Sequence, residues 1–203
     1  MKRNVFCLLV VLILAGTADA QQEASKYYHD ATARGLAGEY TAAIDLFSRA
    51  LELGYPEEEI CLNRGICYAK KRRYKDALTD FNKAIVLNAS NFNALNQRGL
   101  CKLQLGDKTG ALRDFTDAID LKNNIPEFYF NRAQAYYILG NYSEAINDLD
   151  ICISLDDRMS EAYYKRGIIQ YVNGSREAAC IDLSKAVNMG NNEAFDVIRM
   201  YCQ

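Results

Sequence analysis

A single register of small residues runs through this chain with an unbroken period. Ala43, Ala77, Ala111, Ala145 and Ala179 stand 34 residues apart, with no insertion between any two of them. Four residues beyond each come Phe47, Phe81, Phe115, Leu149 and Leu183, and three further on Ala50, Ala84, Ala118, Cys152 and Ala186. Upstream, Ala31, Gly65, Gly99, Ala133 and Gly167 keep the same spacing. A fixed period of about 20–50 residues marks stacked copies of one supersecondary unit, none of which can bury its apolar face alone.

Within a copy the apolar residues Ala43, Ile44, Phe47, Ala50 and Leu51 fall on one face of an α-helix. A turn precedes this helix, marked by Gly38, Gly106, Gly140 and Gly174, with Arg72 at the same place in the second copy. A residue that accepts positive φ there ends a preceding helix, so each copy is a helical hairpin. The recurring Ala and Gly positions are where two helices cross closely, because neither brings bulk to the contact.

The 34-residue period with this Ala and Phe pattern resembles the tetratricopeptide-repeat (TPR) family over essentially all of residues 24–193. The fourth repeat position, Trp or Leu in that family, is here Tyr27, Cys61, Leu95, Tyr129 and Tyr163, and the usual inter-repeat Pro is mostly missing. We expect an all-α chain with five repeats at 24–57, 58–91, 92–125, 126–159 and 160–193. Residues 194–203 are expected as a capping helix, with Phe195, Ile198 and Tyr201 covering the last repeat.

The resemblance implies a right-handed superhelical solenoid whose concave surface is lined by the first helix of each repeat. Transferred position by position, it puts Phe130, Asn131, Gln134, Tyr137 and Ile138, then Tyr164, Lys165, Ile168, Tyr171 and Val172, in that groove, with Asn63 and Gln97 in the earlier repeats. Such a surface suits an extended peptide or partner protein, with amides to meet its backbone. Some family members hold a C-terminal carboxylate with a clamp of Lys, Asn and Arg. Here Tyr28, Thr32, Asn93 and Gln97 stand in its place and only Asn63 agrees, so no clamp of that kind is expected.

Two charged positions appear and disappear together. Repeats two to five carry Arg64, Arg98, Arg132 and Arg166 at the seventh position and Asp80, Asp114, Asp148 and Asp182 at the twenty-third, whereas repeat one has Asp30 and Leu46. Pairing within each repeat leaves no charge stranded, so these are read as structural pairs rather than a ligand-binding arginine ladder.

No constellation for chemistry stands out. There is one histidine, His29, no Cys-x-x-Cys and no phosphate-cradling Gly-rich loop, so neither a metal nor another cofactor is expected and the chain is not read as an enzyme. Cys61, Cys67, Cys101 and Cys152 occupy core positions as small hydrophobes. Cys180 and Cys202 would bring a staple to a capping helix with little area of its own, and the pair is open between a bridge and free thiols. Two functional classes follow: a module that binds a partner in its groove, or a scaffold subunit of an envelope assembly docked by its convex face or ends.

The first residues, Lys2-Arg3 followed by the apolar run Val5–Ala15 and small Ala18 and Ala20, read as a secretory signal over residues 1–20, with 21–23 a short linker. The run is shorter than the roughly 20 residues a spanning helix needs, so no integral membrane segment is expected after cleavage. Without Lys2, Arg3 and Asp19 the chain has 22 basic and 25 acidic side chains, a balance that gives nucleic acid nothing to attract it. The expected location is exported, periplasmic or secreted. N-terminal sequencing of the exported chain is expected to begin at Gln21; retention of Lys2 and Arg3 would show a membrane anchor instead.

Overall fold

The helical spacing read above is realised as helix in every copy. A computed structural model describes residues 2–202, with side chains from Asp19 onward, and every regular element among them is an α-helix. In chain order these are α1 (Lys2–Leu36), α2 (Tyr40–Glu52), α3 (Glu57–Lys70), α4 (Tyr74–Leu87), α5 (Phe92–Gln104), α6 (Lys108–Leu121), α7 (Pro126–Leu139), α8 (Tyr142–Leu155), α9 (Ser160–Val172), α10 (Arg176–Asn188) and α11 (Asn192–Tyr201). Residues 21–23, read as a linker, are helical within α1. The signal-sequence reading of 1–20 falls almost wholly outside the residues whose side chains are described. Among the described residues no helix is long and apolar enough to cross a membrane.

Two compact units form, one ending at Ala94 and the other beginning at Leu95. In the first, α1 packs on α2, α2 on α3 and α3 on α4. Helix α2 turns Ala43, Phe47 and Ala50 inward against Ala31 of α1 and against Ile60 and Cys67 of α3. Between α3 and α4 the approach is closer still. A Cβ placed on Gly65 would stand 2.7 Å from Cε1 of the fully buried Phe81, so the edge of that ring occupies the space a side chain at position 65 would need. The turn after α3 carries a strain: Arg72 adopts φ of 59°, where the equivalent Gly140 has 81°. That left-handed conformation is free for glycine and costs another residue about 1–2 kcal/mol.

In the second unit α6 packs on α7, and each helix from α7 to α10 packs on the next, ending with α11 on α10. Gly99 repeats the Gly65 contact, its notional Cβ 2.6 Å from Cε1 of Phe115, and Gly167 meets Cγ of Leu183 at 2.9 Å. Sequence chemistry also fixes helix starts. Asp107 accepts from the Gly110 N–H at 2.9 Å, Pro126 opens α7, and Asn191 accepts from the Ala194 N–H at 3.0 Å.

Helix α11 buries Ala194 and sets Val197 and Ile198 against Leu183 and Ala186 of α10. Phe195, expected on that covering side, is instead 52% exposed. At about 100° of helix per residue, a stripe running through 194, 197, 198 and 201 turns position 195 away from the core. A disulfide joins Cys180 of α10 to Cys202 just past α11, while Cys61, Cys67, Cys101 and Cys152 are buried and free.

Two substitutions test these packing contacts in opposite directions. Gly99→Val places a branched side chain where Phe115 already lies and is expected to lower stability by about 1–3 kcal/mol or more. Arg72→Gly relieves the left-handed residue and is expected to raise it by about 1 kcal/mol. Urea midpoints that move in the same direction for both would contradict the helix-crossing geometry.

Candidate functional site

Among the sites that the small, periodic side chains leave open, a cleft in the second unit combines apolar walls with polar handles. Helices α7 and α9 form its sides and Leu149 of α8 its floor. Phe130, Ala133, Gln134, Tyr137 and Ile138 come from α7, and Tyr164, Lys165, Ile168 and Ile169 from α9, around a volume of about 320 Å³. Tyr137 and Ile138 keep 38% and 47% of their surface exposed at its edge, adding to the apolar surface the cleft offers. Gln134 and Lys165 are its polar lining residues. Lys165 is held loosely, its Nζ 3.3 Å from Glu161 and over the Tyr164 ring at 5.3 Å.

Several residues expected in one groove are placed differently. Asn131 does not line the cleft: its Nδ2 donates to Asn96 Oδ1 at 2.9 Å. Tyr171 turns toward α11, its ring 4.6 Å from that of Tyr201. Gln97 stands half-buried on α5, outside the cleft lining. Asn63 belongs to the first unit, where it lines a separate cleft of about 360 Å³ with Thr32, Leu36, Tyr40, Ile66 and Lys70. Its Nδ2 donates to the Tyr28 hydroxyl at 2.9 Å, and that hydroxyl's pKa is pushed up to about 12 by burial and by the nearby Glu59. Two of the amides expected to meet a peptide backbone therefore already donate within the protein. Leu149 and Ile169, by contrast, line the cleft although their periodic positions mark them as core.

The charged residues form a second layer of internal pairs. Arg64 reaches Asp80 through Nε and Nη2 at 2.8 Å each, and Arg98, Arg132 and Arg166 make the same two-pronged contact with Asp114, Asp148 and Asp182. All four aspartates are buried, and the hydrogen bond donated to each carboxylate is the main reason the Arg64, Arg132 and Arg166 pKa values rise. The spare Nη1 does something the sequence reading missed. It donates backward to the preceding hairpin: Arg64 to Ser48 Oγ at 3.0 Å, Arg132 to Thr116 Oγ1 at 3.4 Å and Arg166 to Asp150 Oδ1 at 2.6 Å. The recurring polar residue one position after each Phe47-type residue was the available signal.

None of the free thiols among the described residues is activated. Burial pushes the Cys61, Cys101 and Cys152 thiols up to about 11, so they remain protonated and inert near neutral pH. Among the described residues no group of three or more His, Cys, Asp and Glu side chains could hold a metal ion.

Comparison with known proteins decides the repeat type. A family model for the tetratricopeptide repeat matches residues 58–91, and a second matches 126–158. The chain carries tetratricopeptide repeats. Among solved structures it is similar to YrrB, described as a TPR protein with an unusual peptide-binding site, at 22% identity over 92% of this chain and 97% of that one, with a TM-score of 0.72. MamA from Desulfovibrio magneticus RS-1 aligns at 17% identity over 82% and 94% of the two chains, TM-score 0.75. The thermophilic TPR protein TTC0263 of Thermus thermophilus aligns at 18% over 88% and 97%, TM-score 0.69. At such identities the likeness establishes the all-α TPR fold. No curated protein matches the chain by sequence.

The forked pairs carry the next test. Asp148→Asn removes the charge but keeps the shape, leaving the Arg132 guanidinium half-buried beside a neutral amide. A loss of about 3–5 kcal/mol is expected in chemical denaturation; a loss under about 1 kcal/mol would mean that the pair behaves as a surface ion pair.

Proposed function

We propose that this chain is an exported binding module that takes an extended segment of a partner protein or peptide into the cleft between α7 and α9. The observation that carries the reading is the cleft itself. Large apolar side chains, Tyr137 and Ile138 among them, stand open to solvent around a volume able to receive a partner side chain, with Gln134 and Lys165 placed to meet polar groups beside it. TPR repeats are used for protein interaction, and the similar protein YrrB is described as having a peptide-binding site, which supports the same role here. A binding role also fits the absence of an activated nucleophile among the described thiols.

Export is supported by two independent features. Lys2-Arg3, the apolar run and Ala18-x-Ala20 have the order of a cleavable signal, and the Cys180–Cys202 bridge belongs to an oxidising compartment, periplasmic or extracellular. A second reading, a scaffold subunit docked by its outer helices, is favoured by Val86 of α4 and Ile181 of α10, which are 81% and 66% exposed.

Pull-down from the native compartment separates the two. The variant Phe130→Ala/Tyr137→Ala is expected to reduce recovery of the specific partner about tenfold or more, as loss of aromatic anchors does. Val86→Ser/Ile181→Ser is expected to leave it unchanged. The reverse pattern would transfer the binding surface to the outer helices.

A further inference from the structure

Resting on the cleft reading, we infer that α11 is a positioning element for the α9 wall of that cleft, and that the Cys180–Cys202 bridge holds it there. The oxidised chain presents a formed cleft and the reduced chain a distorted one.

By itself α11 is weakly held. Ala194 is its one fully buried residue, and Phe195 and Met200 leave 52% and 64% of their surface in solvent. What fixes its far end is a short set of contacts. Arg176 Nε donates to the Tyr201 carbonyl at 2.8 Å, Tyr201 lies on Tyr171, and the bridge closes a separation of 22 residues between α10 and the end of α11.

On its inner side the same helix touches the cleft wall in two ways. Val197, Ile198 and Cys202 pack on the same buried residues, Leu183, Ala186 and Ala194, as Tyr164 and Ile168 do, and both of those line the cleft. At its start, Asn191 Nδ2 donates to Glu161 at 3.2 Å, and Glu161 is the carboxylate that holds Lys165. The orientation of Tyr164, Lys165 and Ile168 therefore depends on α11 being docked. A dithiol reductant supplies two electrons and two protons, breaks the sulfur–sulfur bond and leaves two thiols, being itself oxidised to a disulfide. The other four described cysteines are already free and buried, so this is the one bond among the described residues that reduction changes.

Isoleucine-methyl NMR of the full chain tests this without any partner. Ile198 reports on α11, Ile168 on the near wall and Ile138 on the opposite wall of the cleft, with Ile44, Ile60 and Ile119 as remote controls. Reduction with dithiothreitol is expected to shift or broaden Ile198, Ile168 and Ile138 together, reversibly on reoxidation, with the controls unmoved. A change at Ile198 alone, or at none of the three, overturns the inference.

Asn191→Asp gives a second arm that leaves the bridge intact. Asp still caps α11 by accepting from Ala194 N–H but repels Glu161 instead of donating to it. Ile168 and Ile138 are expected to shift while Ile198 stays, and an unmoved Ile138 counts against the coupling. Failure of the peptide-binding reading would show separately, as partner recovery indifferent to Phe130→Ala/Tyr137→Ala.

Discussion

Close approach between paired helices is the contact on which the rest of this structure depends. Three hairpins set a bulky residue of the second helix, Phe81, Phe115 or Leu183, directly against a residue of the first helix that carries no side chain, Gly65, Gly99 or Gly167, and in the first and fourth hairpins Ala31 and Ala133 hold that position. The ring or branched chain reaches full burial because the opposing residue is small, and full burial of a Phe or Leu contributes roughly 1.5–3 kcal/mol. Since the small and the large residue recur with the same period, every hairpin acquires one shape, and identical shapes stack. A cavity or an overfilled crossing would be felt at once, because interiors packed to crystal density have little room to relax.

Apolar crossings alone leave the hairpins free to slide, and the arginine forks remove that freedom. A buried carboxylate needs partners for both oxygens, and the Nε and Nη2 of Arg132 meet those of Asp148 at 2.7 Å each. The remaining Nη1 then points to one hydroxyl or carboxylate on the helix before, Thr116 in this case. One guanidinium thus ties three helices at a defined register, which nondirectional burial cannot do. The first hairpin needs no such fork of its own: it has Asp30 and Leu46 at those positions, and Ser48 supplies the acceptor for Arg64 of the next.

How much of this is legible in sequence follows from what periodicity can encode. The hairpins, the crossing glycines and the partner choice of each arginine all recur, so comparing copies exposes them. The positions that line the cleft recur three repeats earlier, where Thr32, Leu36, Asn63 and Ile66 stand for Gln134, Ile138, Lys165 and Ile168, but the side chains at them differ, and there the sequence is less informative. Asn63 and Asn131 occupy positions that face a groove in the family, yet each donates to a neighbour 35 residues back, Tyr28 and Asn96. Whether an amide meets a partner or its own chain depends on which residue the neighbouring copy holds opposite it, a pairing that one copy read alone does not reveal. Phe195 departs for another reason: the phase of α11 is set by a turn outside the repeat, so no periodic template predicts which of its faces is covered.

The cleft lies where this ladder of internal hydrogen bonds changes character. At the step from α7 to α9 the two ladder positions hold Phe130 and Lys165, which cannot form the amide bond made by Asn131 and Asn96, and both line the cleft. Phe130 has no donor or acceptor, and Lys165 rests on an exposed carboxylate and a tyrosine face that a ligand can displace at small cost. A repeat array that satisfied every polar position internally would be well folded and unable to bind. At the step from α7 to α9 the apolar Phe130 and the loosely held Lys165 are left unmatched, beside the capping helix whose docking orients the α9 wall.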